Sequence, residues 1–298
     1  MKYKNVTIAG GGILGSQIAF HTAFHGFSVT VYDISDSALK NCKERMTLWQ
    51  KFYQKDLGIS NDQLQKIYKS IAFKTDLKSA VSEADLVIEA IPENIKIKSD
   101  FYEKLNQFAP SHTDFATNSS SLLPSYFAKA TGRPEQFIAL HFANRIWIRN
   151  TAEIMGHSKT SSKLFDDMIL FAKAIGMVAI PVKKEQPGYV LNSLLMPFLR
   201  AGLNLWANDV AEPHLIDKTW MIATGAPNGP FATLDTVGLK TSLYITKAHL
   251  NENSDIETTK LIISKLEGMV AEGKLGTASG QGFYKYPNPE FLKDDFLK

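Results

Sequence analysis

Cysteine is almost absent: Cys42 is the only one in 298 residues. An intrachain disulfide is therefore excluded, and a reducing, cytoplasmic setting is the expectation. Neither sign of charge is in excess. With 33 basic and 30 acidic residues the net charge is +3, which gives no case for a nucleic-acid partner. No apolar run approaches the ~20 residues that span a bilayer, so no membrane role is expected. The short apolar stretch after Lys4 is soon broken by glycine and does not read as a targeting segment. Internal repeats and low-complexity tracts are also missing, which sets aside solenoids and disordered arrays. What is present describes an ordinary globular chain, 44% apolar and 21% charged, long enough for two domains.

The first part of the chain alternates between two hydrophobic periods. Strand-like runs are expected at 6–9, 27–32, 71–73, 85–91, 115–117, 137–142, 152–155 and 177–182. Helical periodicity falls between them at 13–24, 35–57, 61–68, 95–108 and 162–175. Such alternation predicts an α/β fold, a Rossmann-type, mostly parallel sheet with helices on both faces. Near "KKEQPGYVLN" the pattern changes. Pro181 and Pro187–Gly188 punctuate the chain, and strand signals then nearly cease. Helices are expected at 189–206, 214–224, 240–250 and 255–271. A boundary at about residue 184 separates a nucleotide-binding domain, 1–184, from a smaller all-helical domain, 185–298.

The most informative stretch is "TIAGGGILGSQIA" at 7–19. Gly10-x-Gly12-x-x-Gly15 follows an expected strand and opens an expected helix, the context in which this spacing indicates a dinucleotide site. Gly10 allows the tight turn, Gly12 lets the backbone approach a pyrophosphate, and Gly15 lets the helix pack closely. Phosphates then meet unpaired N–H groups at the helix start, around Ile13 and Leu14. Gly11 is given no special role. Asp33 ends the second strand, where a carboxylate binds the ribose hydroxyls of NAD and repels a 2′-phosphate. His21 and His25 stand one helical turn apart, a spacing that can bind metal. No third ligand is visible near them, so they read as a partly exposed pair and no metal is assigned.

The blocks "ADLVIEAIPENIKIK" (84–98), "TNSSSL" (117–122), "GRPEQFIALHF" (132–142), "PGYVLN" (187–192), "NGPFATLD" (228–235) and "SGQGFYKY" (279–286) appear in one order along the chain. In that order and spacing the sequence resembles the L-3-hydroxyacyl-CoA dehydrogenase family over nearly its whole length. The resemblance implies NAD as cofactor, an acyl-CoA substrate and a homodimer formed through the helical domain. It places the catalytic base on His141 and its orienting carboxylate on Glu153. The chemistry suits them, because oxidising a secondary alcohol removes a proton from oxygen as hydride leaves carbon, and imidazole accepts protons near neutral pH. By the same resemblance Ser120 and Asn192 contact the substrate. Glu93, Lys98 and Asn144 match residues that line the nicotinamide half of the cofactor, and Asn118 is a further cofactor contact. Taken without the resemblance, Glu93 and Lys98 would be solvated charges at a strand end, and 118–121 a capping turn.

The sequence also departs from the family. Ala143 and Arg145 replace Phe and Pro in the family's His-Phe-Phe-Asn-Pro. The stretch Trp147-Ile148-Arg149-Asn150-Thr151 replaces its Pro-Val-Met-Lys-Leu. Ser193 stands where Arg is common after the asparagine, and Ala278 where a basic residue is favoured. Lys43, Arg45, Lys51 and Lys55 on the long helix after Asp33 are candidate partners for coenzyme A phosphates. The expected reaction is therefore NAD-dependent oxidation of the 3-hydroxyl of an (S)-3-hydroxyacyl thioester. The rival substrate is a small free carboxylate, such as a sugar acid or a hydroxylated amine acid, clamped by Arg145 and Arg149. A lysine-based β-hydroxyacid dehydrogenase fits less well, since no lysine follows Pro187 before Lys218. An NAD(H) sensor without turnover is a further alternative, against which the His141–Glu153–Asn192 set argues.

Overall fold

Strand β1, Asn5–Ala9, is buried on both faces from Val6 to Ala9, as in a sheet covered by helices on both sides. The next strands are β2 Ser28–Tyr32, β3 Ala72–Lys74, β4 Leu86–Glu89, β5 Asp114–Thr117, β6 Phe137–Phe142, β7 Thr151–Met155 and β8 Val178–Val182. Every residue of β4, β5 and β6 is buried. The computed structural model describes residues 2–248, 250 and 255–298. The expected helix at 240–250 includes His249, which lies outside the described residues.

The strands form one eight-stranded sheet in the order β3-β2-β1-β4-β5-β6-β7-β8. All neighbours are parallel except β6 and β7. Chain order reverses at β1, so a crevice opens at the carboxyl ends of β1 and β4. Open α/β sheets bind ligands at such a place. Helix α1, Ile13–Phe24, is buried from Gly15 through Ala23, which is why its apolar residues do not keep to one face. The other helices of this unit are α2 Asp36–Leu57, α3 Asn61–Ser70, α4 Leu77–Val81, α5 Ile95–Phe108 and α6 Ser162–Ala174. Side-chain caps start most of them. Ser35 accepts from the Ala38 N–H, Asp76 from Ser79 and Asn94 from Ile97, contacts worth about 1 kcal/mol each.

The chain divides into two compact units, Met1–Val190 and Leu191–Lys298. Sequence reading sets the change at about 184. The division falls later because Tyr189 packs with Ala139, Met155 and Val182 and the Val190 N–H donates to Glu153 at 2.9 Å.

The second unit comprises α7 Leu191–Ala207, α8 Pro213–Thr224, α9 Pro230–Val237, α10 Leu239–Ala248 and α11 Ile256–Ala271. Among the described residues no helix is long and apolar enough to cross a membrane. Helices α4 and α9 have no counterpart in the periodic reading. The first is a single turn and a half, and the second lies in a block whose Gly229-Pro230 reads as punctuation. Two buried carboxylates organise this unit. Asp217 accepts from the N–H groups of Phe231 and Ala232, which start α9, and from the Tyr284 hydroxyl. Asp235 accepts from the N–H groups of Phe283 and Tyr284 and from the Tyr286 hydroxyl. A Cβ at Gly229 or Gly282 would collide with Asp217 or Asp235 respectively. The blocks "NGPFATLD" and "SGQGFYKY" are thus two halves of one packing arrangement.

Candidate active site

The glycine turn leaves β1 with Gly10 at φ +102°, where a Cβ would lie 2.6 Å from the Ala90 carbonyl oxygen. A Cβ on Gly15 would fall 1.9 Å from the Gly10 oxygen, so both residues must be glycine. Gly12 differs: nothing lies within 4 Å of its Cβ position. It caps α1 without a side-chain hydrogen bond, and the first N–H groups of the helix, beginning at Ile13 and Leu14, have no intrahelical acceptor. Open space over free N–H donors fits a pyrophosphate. Asp33 is held in place by the Gly11 N–H at 2.7 Å and the Ile34 N–H at 2.8 Å. The residues present therefore fit NAD.

Gly11 needs a correction. A Cβ there would lie 2.7 Å from Cys42 Cβ, so α2 packs directly on the turn and the position has a steric role. Arg45 needs another. Its guanidinium donates to the Gly11 carbonyl at 3.0 Å, which ties it to the glycine turn. Lys43, Lys51 and Lys55 stay exposed on α2.

At the end of β4 an acid sits inside an apolar run. Glu89 accepts from Lys98 Nζ at 2.5 Å, Thr117 Oγ1 at 2.8 Å and the Tyr102 hydroxyl at 3.0 Å. Lys98 is 1% exposed and also meets Glu93 at 3.3 Å. The solvated-charge reading of Lys98 therefore fails, and its ammonium is engaged by two carboxylates. Glu93 in turn accepts from Ser119 Oγ at 2.6 Å and from the N–H groups of Ser121 at 2.9 Å and Ser120 at 3.1 Å. Burial opposes its charge, but the Ser119 bond, Lys98 and the Ser121 bonds outweigh burial and hold it below the usual carboxylate range. Asn118, just after β5, bridges the two neighbouring strands, donating its N–H to the Glu89 carbonyl of β4 and accepting from the Phe142 N–H of β6 at 3.0 Å.

His141 and Glu153 are directly opposed in the antiparallel β6–β7 pair. Both are buried. His141 Nδ1 lies 2.9 Å from Glu153 Oε2, and Nε2 lies 3.2 Å from Ser120 Oγ. An ionised Glu153 only accepts, so Nδ1 carries the proton and Nε2 presents a lone pair. The Tyr189 ring lies over the imidazole with centroids 4.6 Å apart and planes 10° from parallel. Beyond β6, Gln17 of α1 anchors the loop: it contacts Asn144 at 3.4 Å and accepts from the Arg145 N–H at 2.8 Å. Asn192 stands in the first turn of α7, in the second unit.

The departures at Arg145 and Trp147 have a structural meaning. Both donate to Asp56 Oδ2 at 2.8 Å, which joins the end of α2 to the loop after β6. The indole N–H, and then Arg145, hold Asp56 below its ordinary pKa. Arg145 is thus already paired, while Arg149 is exposed. His21 also departs from expectation. It is buried, not partly exposed, with its Nδ1 2.6 Å from the Tyr53 hydroxyl. No group of three or more metal-ligating side chains occurs among the described residues. Sequence reasoning missed Glu89, Tyr102, Tyr189 and Asp56. Only Glu89 carries a local signal, an acid within "LVIEAI", where burial demands a partner.

Comparisons with known proteins agree along the chain. The family described as 3-hydroxyacyl-CoA dehydrogenase, NAD binding domain matches residues 5–186, and the C-terminal domain of that family matches 188–286. The human mitochondrial hydroxyacyl-coenzyme A dehydrogenase is 34% identical over 290 residues, 95% of this chain and 91% of that protein. A solved diketoreductase, described as acting on dicarbonyl compounds, is 48% identical with a TM-score of 0.90, covering 96% of this chain and 100% of its own. An (S)-3-hydroxybutyryl-CoA dehydrogenase from Ralstonia eutropha is 26% identical with a TM-score of 0.82, covering the same shares.

Proposed function

The chain belongs to the 3-hydroxyacyl-CoA dehydrogenase family, and from that premise we propose that it interconverts an (S)-3-hydroxyacyl-CoA and the 3-ketoacyl-CoA. It is an NAD-dependent dehydrogenase. The observation that carries the reading is the position of His141 between Glu153 and Ser120. In oxidation, His141 Nε2 takes the proton of the substrate alcohol, and Glu153 stabilises the imidazolium that forms. In reduction the same nitrogen returns the proton. Ser120 holds the substrate oxygen beside Nε2, and the family resemblance assigns Asn192 to the substrate as well. NAD, when bound, accepts or returns the hydride. Gly10, Gly12, Ile13, Leu14 and Gly15 hold its pyrophosphate, and Asp33 holds its ribose and disfavours NADP. Glu93, Asn118 and Asn144 border its nicotinamide half, with Lys98 acting through Glu93.

A second reading keeps the chemistry and changes the carrier. It is favoured by the 48% identity to the diketoreductase, higher than to the acyl-CoA enzymes compared above. Here the substrate is a dicarbonyl compound or free keto acid without coenzyme A, met by Arg149, since Arg145 is paired with Asp56. NADH oxidation against acetoacetyl-CoA, free 3-keto acids and simple 1,3-diketones separates the two. If coenzyme A is the carrier, Lys51→Glu or Lys55→Glu raises KM for the thioester, most at low ionic strength, and leaves KM for NADH alone. A KM that responds to Arg149→Ala and ignores the lysines moves the assignment to the second reading.

We also infer a cytoplasmic homodimer. The helical unit exposes Leu194, Val210, Ile222 and Tyr244, apolar surface that a second copy would cover. Sedimentation at micromolar concentration tests this, and a monomer there overturns it.

A further inference from the structure

We propose that Tyr189 is a positioning residue for the general base, holding the plane of the His141 imidazole through the step in which its Nε2 contact changes. The inference rests on the reading of His141 as that base.

The need follows from the geometry. Before reaction the ring is tethered at both nitrogens, by Glu153 on one side and Ser120 on the other. When Nε2 turns to a substrate hydroxyl, the Ser120 tether is exchanged. Only the Nδ1 bond then persists throughout, and a ring held at one atom is free to tilt about that bond. A flat, immobile surface against the ring face removes this freedom. Tyr189 supplies one: its ring is 4.6 Å away and nearly parallel, and the residue is 1% exposed.

The tyrosine is itself tightly fixed. Its hydroxyl donates to the Ser119 carbonyl at 2.9 Å, next to the residue that meets His141 Nε2. Burial, followed by the nearby Glu93 and Glu153 charges, pushes its pKa far up, so the hydroxyl stays a donor. The backbone reaches this position through two successive left-handed residues, Gly188 at φ +79° and Tyr189 at φ +54°. A non-glycine residue in that region is strained and persists only where its surroundings determine it. The next N–H, of Val190, donates to Glu153 Oε1 at 2.9 Å. That bond occupies the oxygen His141 does not use. Residues 189 and 190 therefore hold both members of the dyad, one by its ring and one by its backbone.

The test compares Tyr189→Phe with Tyr189→Leu in the full-length protein. Tyr189→Met, which fills the space without presenting a plane, serves if the leucine variant does not fold. Three readouts are taken: kcat and KM for acetoacetyl-CoA and NADH, the pH profile of kcat, and the NMR titration of the His141 ring without cofactor. The His141 signals are assigned by their loss in His141→Gln. Loss of the ring is expected to lower kcat about 10–100-fold, the scale for misplacing a reacting group. KM for NADH should stay within about twofold, and the His141 titration curve should move by about half a pH unit or more. Tyr189→Phe keeps the plane and should restore most of kcat and the titration. A folded leucine or methionine variant with unchanged kcat and titration overturns the proposal, as does a phenylalanine variant equally impaired. Normal turnover in His141→Gln would instead overturn the reading of His141 as the base.

Discussion

His141 and His21 are buried to the same degree, each 4% exposed, yet they are provided for in opposite ways. His141 has a carboxylate on one nitrogen and a hydroxyl on the other. His21 has the Tyr53 hydroxyl on Nδ1, the ring of His25 at 4.7 Å, and no hydrogen bond of normal geometry at Nε2. Burial first, and then the neighbouring His25, pushes its pKa down to about 3. Burial opposes the charged form of any imidazole. A histidine that must gain and lose a proton in each turnover needs a compensating carboxylate, and among the described residues His141 has one and His21 has none. The proposal of His141 as the base, with His21 read as packed, thus rests on the set of partners, since depth is equal.

The largest effect tests the comparison directly. His141→Gln is expected to lower kcat by roughly 10²–10⁴-fold, the range for losing a general acid–base group, with NADH binding retained. His21→Gln should leave kcat nearly unchanged. Similar losses at both positions, measured by steady-state kinetics and NADH fluorescence titration, would break the distinction. Glu153→Gln comes next, because it moves His141 toward the condition of His21. A slowing of roughly 10–10³-fold is expected. The acid limb of the oxidation profile should also move to lower pH, since the imidazolium loses its counter-charge.

The third effect concerns stability. In the folded state burial pushes the His21 pKa down to about 3, whereas in the unfolded chain it lies near its ordinary value of about 6.5. Between these values the unfolded state binds more protons. The contribution of His21 to stability is therefore full above about pH 6.5 and is lost as pH falls, at up to ~1.4 kcal/mol per pH unit. Urea unfolding at pH 7, 5.5 and 4.5 should show this loss, and His21→Phe should make the curve shallower. An unchanged pH dependence in that variant would show that His21 charges readily in the fold.

Much of this protein was legible in its sequence, and the division follows the range of the interactions. Helices α1 and α5 and strand β6 stand where periodicity sets them, because period and caps are local properties. Gly10, Gly12 and Gly15 were readable because they act within six residues of one another. The unread contacts join distant parts of the chain. Arg145 meets Asp56 across 89 positions, and Tyr189 meets Ser119 across 70. No local pattern specifies such pairs. Lys98 shows a different limit: its two acids are near in sequence, and what the pattern does not give is its burial, since charge and position suggest solvent. Asn192 was legible only through the resemblance, because nothing local distinguishes it from any polar residue in an early helical turn.

The smallest effect gives the sharpest contrast, because the same atom is removed on both sides of it. Tyr53→Phe and Ser120→Ala each delete one hydroxyl that touches a buried imidazole. At His21 the lost oxygen leaves a buried ring nitrogen unpaired, which should cost about 1–3 kcal/mol of stability, while kcat stays the same. Ser120 is exposed, and water replaces its bond to His141, so stability should change by no more than ~0.5 kcal/mol. Its absence is instead felt when the substrate oxygen has to be held, as a fall in kcat with melting temperature nearly constant. The two variants are compared by thermal melting and by turnover of acetoacetyl-CoA. If Ser120→Ala destabilises the fold as much as Tyr53→Phe and turns over normally, the hydroxyl at His141 is there for packing, and the two histidines differ only in the charge beside them.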